Sequence, residues 1–248
     1  MRSILKLVLT IPLLLLAMAH PLAAQDAGNQ DRDLGSAIRA YLLENPEVII
    51  EALQVLEERR ALQAAANDKA LVAANAGSLF DDGYSFVVGN PDGEITIVEF
   101  LDYRCPYCKR AHEQIARLLE GQPEVRLVIK EFPVLGHQSV TAARVAIAAA
   151  AVDPSKFKLL HEALMTFPAE LEENSVYQLA AGLGYDVEAL RLEAEGDATS
   201  AKLEANYRLA ETMGLTGTPS FVVEDEIVRG ILPEDQMWAL VESKKTSN

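Results

Sequence analysis

The chain has 248 residues, of which half are hydrophobic and 24% are charged. This composition favours a globular protein with one sizeable core and an appendage, rather than two full domains. The formal net charge is −15, which repels phosphate backbones and excludes nucleic acid as a partner class.

Residues 1–24 have the features of a secretory signal peptide. Two bases, Arg2 and Lys6, precede a 13-residue apolar run from Leu7 to Ala19, and small residues close the segment at Ala24. The apolar run is short for a membrane span, so a cleaved peptide is favoured over an uncleaved anchor. We therefore expect a periplasmic protein.

Residues 25–78 are predicted to form an N-terminal helical region followed by a linker. A break is expected at Asn45-Pro46, where Asn45 can cap a new helix and Pro46 can occupy its first position. An apolar stripe between Tyr41 and Leu62 recurs every seven residues. It predicts a homo-oligomer, a dimer or trimer, unless the stripe folds back on the rest of the chain. Beyond Arg60 the segment becomes alanine-rich and polar and reaches Gly77-Ser78, and this stretch is predicted to be the linker.

Residues 79–248 are predicted to form the catalytic domain. A strand, a helix and a second strand in succession indicate a parallel βαβ unit, and a wholly helical stretch follows before β character returns. The predicted elements are strands at Tyr84–Val88, from Ile95 and at Val125–Phe132, a helix at Lys109–Glu120, helices over about 138–213, a hairpin over 216–229 and a final helix around Met237.

The only two cysteines, Cys105 and Cys108, lie where the central strand run gives way to the first helix. Free backbone N–H groups at a helix N-terminus stabilise an anion, so Cys105 is expected to have a lowered pKa and to act as the nucleophile. Arg104 and Lys109 are expected to add to that effect. Pro106 suits the first helical turn, and Cys108 can resolve a mixed disulfide.

A metal site or a structural disulfide accounts less well for the cysteine pair. A zinc site needs two more ligands, and His112, His137 and His161 are not in ligand spacing with one another. A structural disulfide across two residues closes almost no loop and would stabilise little. We therefore predict a redox pair without metal or cofactor, and we place His112 on the solvated side of its helix.

Glu99 stands in the middle of the apolar strand run, six residues before Cys105. A carboxylate there is costly unless it is protonated, paired or functional. The alternative is an ordinary Glu that faces solvent at a strand end.

The sequence resembles the thioredoxin superfamily and, within it, the DsbA-like oxidoreductases. The resemblance is carried by Glu99, the Cys105-Pro106-Tyr107-Cys108 motif and the later Thr218-Pro219. The resemblance implies an α/β thioredoxin fold with an inserted helical domain, in which Glu99 accepts the proton of Cys108. It also implies a cis Thr218–Pro219 bond facing the cysteines. Substrate contacts are then expected at Pro106, Tyr107, Thr218 and Pro219.

The resemblance implies a protein disulfide oxidoreductase or isomerase that acts on cysteine-containing secreted proteins and exchanges electrons with a membrane-bound thiol reductase or oxidase. The N-terminal helical region and Thr218 are more like the oligomeric isomerase-type relatives of the suppressor-of-copper-sensitivity C group. Three alternatives stay open: a monomeric DsbA-type dithiol oxidase, a glutaredoxin, and a periplasmic copper-binding thiol chaperone, since soft sulfur ligands suit Cu(I).

Overall fold

The structure is a computed structural model that describes residues 22–168 and 170–245. The predicted signal peptide lies almost entirely outside the described residues. The chain divides into two compact units, Met1–Arg60 and Ala61–Asn248. No helix among the described residues combines the length and the apolar character that a membrane crossing requires.

The first unit is helical. Helix α1 spans Leu22–Glu44, and helix α2 spans Glu47–Ala74 and continues past the end of the unit. The predicted break at Asn45-Pro46 is confirmed, but Asn45 acts differently from our expectation. Its side-chain amide donates to the carbonyl of Tyr41 at 2.9 Å, so it satisfies the C-terminus of α1 instead of capping α2.

Large apolar side chains of this unit stay in contact with solvent. None of the described side chains between Asp33 and Arg60 is buried. The exposed ones include Leu34, Ile38, Tyr41, Leu43, Ile49, Ile50, Leu53, Val55 and Leu56.

The second unit contains a five-stranded sheet of order β1-β3-β2-β4-β5. Strands β2 and β3 are parallel, and the other neighbours are antiparallel. The predicted βαβ unit is confirmed, with α4 connecting β2 to β3. The strands are β1 (Val87–Gly89), β2 (Ile95–Leu101), β3 (Val125–Glu131), β4 (Ser220–Val223) and β5 (Glu226–Arg229), and α4 is Pro106–Gly121.

An all-helical insertion separates β3 from β4, as expected, and a last helix closes the chain. After the short α3 (Ala76–Phe80), the remaining helices are α5 (His137–Val152), a 3-10 turn (Pro154–Lys156), α6 (Phe157–Met165), α7 (Glu173–Gly182), α8 (Val187–Glu195), α9 (Asp197–Thr212) and α10 (Glu234–Lys245).

The sheet is buried on both faces, because side chains of a strand alternate between faces and both sets are apolar. One face, with Ile97 and Leu101, packs against α4 and the insertion. The other, with Val98 and Phe100, packs against α9 and Leu79. The cysteine pair lies on the first face.

Two local predictions were wrong. The first strand is only β1, because the Asp82 carboxylate accepts hydrogen bonds from the N–H groups of Tyr84 and Ser85 and turns the chain there. Gly77-Ser78 is part of α3 and not an open linker, because Leu79 beside it is fully buried.

Candidate active site

The two cysteines lie at the start of α4, as the sequence predicts. Cys105 is the residue before the helix, in extended conformation, and Pro106 takes the first helical position, where a missing N–H costs nothing. Cys105 is 5% exposed and Cys108 is fully buried. Both are free cysteines in this structure.

The Thr218–Pro219 segment faces this pair. Its peptide bond is cis, which confirms the prediction. The thiol of Cys105 donates to the carbonyl of Thr218 at 3.2 Å, so a loop more than a hundred residues away closes the site. Pro106 and Tyr107 are exposed beside the sulfur, whereas Pro219 is buried.

The environment lowers the pKa of Cys105 to about 5. The largest cause is a hydrogen bond from the Cys108 thiol, followed by the opposing effect of burial. The side chain of Thr218 and the backbone N–H groups of Cys108 and Tyr107 lower the pKa further. The start of the helix thus lowers the pKa of Cys105 through individual hydrogen-bond donors.

Arg104 and Lys109 do not act as expected. Arg104 donates to the carbonyl of Leu135 at 2.7 Å and to the Glu170 carboxylate at 3.0 Å, and Lys109 donates to the carbonyl of Phe167 at 2.8 Å. Neither charge is among the causes of the Cys105 shift. These two side chains instead tie the site to the loop after β3 and to the insertion.

Cys108 has the opposite tendency. Its hydrogen bond to Cys105, its burial and the nearby charge of Glu99 all raise the pKa of its thiol. The pair therefore holds one proton, on Cys108, while Cys105 carries the negative charge. Such a pair can attack a disulfide through Cys105, but Cys108 needs a proton acceptor before it can attack in turn.

Glu99 lies in the core and not on the surface, so the alternative of a solvent-facing Glu is wrong. It is 1% exposed on β2, and its Oε1 atom has no hydrogen-bond partner among the residues that the structure describes. Burial raises its pKa to about 8, and the charge of Cys105 contributes. Glu99 can therefore hold or release a proton near neutral pH.

Some residues of the site were not predicted. Asp102 is buried and its carboxylate accepts from the N–H groups of Arg104, Val134 and Leu135, which fixes the cysteine turn to the loop after β3. The position of this acid directly after the apolar strand was the sequence feature that could have indicated its role. His112, expected in solvent, is half-buried, and its ring meets His161 at 5.2 Å between centroids.

Comparison with known proteins agrees with this geometry. A thioredoxin family model matches residues 81–243, and a model described as the copper resistance protein ScsC N-terminal domain matches residues 30–63. A thioredoxin-like oxidoreductase from Silicibacter pomeroyi is 40% identical, with a TM-score of 0.65, and the match covers 68% of this chain and 97% of that one. A linker-deletion variant of Proteus mirabilis ScsC is 26% identical, with a TM-score of 0.68, covering 94% and 100%.

The chain also matches part of larger proteins. The Na(+)/H(+) antiporter NhaA 3 of Salinispora tropica is 25% identical over 167 residues, which are 65% of this chain and 26% of the antiporter. The chain thus spans about a quarter of the length of these curated relatives.

The chain belongs to the thioredoxin family. Within that family it is of the DsbA-like, ScsC type, which confirms the predicted resemblance and the predicted fold class, including the N-terminal helical region.

Proposed function

We propose that this protein is a periplasmic thiol–disulfide oxidoreductase and isomerase that acts on cysteines of secreted proteins through Cys105 and Cys108. One observation carries the proposal: an almost buried thiol with a low pKa lies at a helix N-terminus and contacts the residue before a cis-proline. The thiolate is the nucleophile of disulfide exchange, and its stabilisation makes Cys105 a good leaving group as well.

Starting from the reduced protein, the exchange proceeds in two steps. The Cys105 thiolate attacks a substrate disulfide, forms a mixed disulfide and releases one substrate thiolate, which takes a proton from water. Cys108 then gives its proton to Glu99 and attacks the sulfur of Cys105. The Cys105–Cys108 bond forms, the mixed disulfide breaks, and the second substrate thiolate leaves. Oxidation of a substrate is the same sequence reversed, with Glu99 returning the proton to Cys108.

The substrate chain is held by the residues that surround the sulfur. Thr218 presents its carbonyl toward Cys105, so an extended substrate segment beside it can form backbone hydrogen bonds. The exposed Tyr107 ring, 53% accessible, offers an apolar surface to residues that flank the target cysteine. Pro106 is exposed and belongs to the same surface, and the buried Pro219 supports Thr218 from beneath it.

Isomerisation is favoured over simple oxidation because of the N-terminal region, which we place at residues 25–78 ahead of a catalytic domain at 79–248. The exposed apolar stripe and the match to an ScsC N-terminal domain support a dimer or trimer. Several thiolates on one assembly raise the local concentration around a misfolded client. A membrane-bound thiol reductase would keep the pair reduced.

The direct test compares two activities of the mature protein. It should restore activity to scrambled, fully oxidised ribonuclease faster than it oxidises reduced ribonuclease. Cys105→Ser should abolish both reactions, and Cys108→Ser should accumulate mixed disulfides. Efficient oxidation with no effect on the scrambled enzyme would favour the monomeric oxidase, and inactivity in both assays would contradict the proposal.

Copper binding is a second candidate, supported by the description of the family model that matches residues 30–63. Two adjacent thiols are soft ligands for Cu(I). Anaerobic titration of wild type and Cys105→Ser with Cu(I) separates the functions. Tight binding that depends on Cys105, in a protein without exchange activity, would establish the chaperone instead.

A further inference from the structure

The same face of the sheet that carries Glu99 buries a second carboxyl group, Glu131. It is the last residue of β3 and is 4% exposed. The parallel register pairs Glu99 with Ile129 and Leu101 with Glu131, so the two acids occupy diagonal positions on adjacent strands. Adjacent strands lie about 4.8 Å apart and two residues advance about 6.6 Å, which leaves the two side chains within reach of each other.

Each acid has a carboxyl oxygen for which the described residues provide no hydrogen-bond partner. In Glu99 this atom is Oε1, and in Glu131 it is Oε2. Buried polar atoms of folded proteins nearly always have a partner, so two exceptions on one face require an explanation. Burial raises the pKa of Glu131 well above its ordinary value, and the charges of Asp102 and Glu99 add to this effect. Both acids are therefore able to carry a proton in the folded protein.

The other oxygen of Glu131 is held in place. Its Oε1 accepts from the Tyr103 hydroxyl at 2.9 Å, and the same hydroxyl lies 3.0 Å from Nδ1 of His161. His161 is 3% exposed, and burial lowers its pKa to about 3, so the imidazole is neutral. Tyr103 and His161 thus fix the orientation of Glu131 without adding a charge.

A small cavity borders Glu131. It measures about 20 Å³, which is space for one water molecule. Glu131, Asn206, Tyr84 and Ser85 form its polar lining, and the apolar lining is Phe86, Ile129, Ile147, Ala150 and Phe157. Tyr84 and Ser85 are partly exposed. Glu99 itself is 1% exposed and needs a route by which its proton can reach solvent.

We propose that Glu131 and this cavity form the proton path between Glu99 and solvent. The inference rests on the proposed function and concerns the proton that Glu99 takes from Cys108. When Cys108 attacks Cys105, that proton passes from Glu99 to Glu131, and Glu131 releases its own proton to water in the cavity. No electrons move in this transfer, and the reverse path reloads Glu99 during substrate oxidation. Glu131 does not contact the reacting sulfur atoms. It affects the reaction only by exchanging protons with Glu99, so it is a positioning residue and not a catalytic one.

The test is Glu131→Gln in the full-length protein, with a small disulfide as substrate. The amide keeps the size of Glu131 and still accepts from Tyr103, but it cannot relay a proton. Turnover should fall on the order of tenfold, less than the roughly 10²-fold typical of a group that exchanges protons with the reacting atom. The solvent deuterium isotope effect should rise, while the redox potential and the Cys105 thiolate titration stay as in wild type. Glu131→Asp should recover part of the rate.

Tyr103→Phe is the matched control. It removes the hydrogen bond that orients Glu131 but leaves the acid, so its turnover should lie between those of wild type and Glu131→Gln. Wild-type rates in Glu131→Gln, or equal losses in both variants, would overturn the proton path. An inactive wild type would instead contradict the proposed function itself.

A measurement on the wild type keeps the proposal testable if Glu131→Gln does not fold. Infrared difference spectra between the oxidised and reduced protein should show bands from two protonated carboxyl groups, because the path couples Glu131 to the Glu99 proton. A response from one carboxyl only, lost in Glu99→Gln, would overturn it.

Discussion

At the scale of single residues, the two thiols have different tasks because their surroundings differ. Cys105 receives hydrogen bonds from the start of α4 and from Thr218, whereas Cys108 is buried next to Glu99. Hydrogen-bond donors stabilise the thiolate form of Cys105, and burial beside a negative charge stabilises the thiol form of Cys108. The order of attack in the proposed exchange follows from this difference.

The first prediction concerns the ionisation of Cys105. Thiolate absorbance of the reduced protein should titrate with a midpoint near 5, because the donors around this sulfur lower its pKa. Since only the reduced form contains the thiolate, the same interactions stabilise that form and make the couple oxidising, roughly −120 to −230 mV. Cys105→Ser is the control and should lose this transition. A midpoint near the ordinary value of about 8.5 would contradict the assignment.

The second prediction concerns Glu99 and stability. Its pKa is about 8 in the folded protein, against an ordinary value of 4.5. Between these values the folded state keeps a proton that the unfolded state has lost, so rising pH lowers the free energy of unfolding. The loss is on the order of 5 kcal/mol at most, at about 1.36 kcal/mol per pKa unit. Glu99→Gln should remove this dependence and unfold at higher urea concentration than wild type at pH 8.

The same variant should be slow in catalysis. Without an ionisable group, Cys108 loses its proton acceptor, and turnover should drop on the order of 10²-fold or more. Mixed disulfides with substrate should accumulate in a gel without reducing agent. Turnover equal to wild type from acid to neutral pH would exclude Glu99 from the reaction.

At the scale of secondary-structure elements, the sequence predicts what depends on local pattern. The apolar run of β2, the cysteine turn and the helical character of the insertion all follow from local pattern. Helix α4 and the helical stretch of the insertion begin and end within a few residues of their predicted bounds. The role of Glu131 could not be predicted in this way, because its partners Tyr103 and His161 are distant in sequence. Their meeting depends on how α6 packs against the sheet.

The other face of β3 provides a third prediction. Lys130 is fully buried, and its ammonium group lies 2.5 Å from the Asp82 carboxylate and 2.7 Å from the carbonyl of Ser78. Asp82→Ala should lower the free energy of unfolding by about 3–5 kcal/mol, because it leaves a buried charge without its partner. Denaturant unfolding at neutral pH measures this.

The control for the ion pair is the double variant Asp82→Ala with Lys130→Met. Removing both charges should recover much of the stability that the single change loses, since the desolvation cost of Lys130 disappears with its partner. A cost below about 1 kcal/mol for Asp82→Ala would mean that the pair behaves like one at the surface.

At the scale of the whole molecule, the boundary between the compact units decides how the chain can be divided. The second unit begins at Ala61, within α2, and includes the buried Val72. Asp68 binds Arg229 through two hydrogen bonds of 2.7 and 2.9 Å in that unit. Removing all residues before Ser78, at the linker predicted from the sequence, would remove these contacts. Removing only the residues up to Arg60 keeps them.

The last prediction uses that boundary to test the oligomer. A variant that starts at Ala61 should be a monomer with the redox potential of the mature protein, since the cysteine site and its partners are intact. It should lose activity on scrambled ribonuclease, because single sites cannot raise the local thiolate concentration. It should oxidise reduced ribonuclease at least as well as the mature protein does.

Ile49→Glu with Leu53→Glu in the mature protein is the matched control, since both side chains are exposed and apolar. This variant should dissociate without loss of chain length. Light scattering reports both results, and a mature wild type that is monomeric at micromolar concentration would refute the oligomer and favour the oxidase.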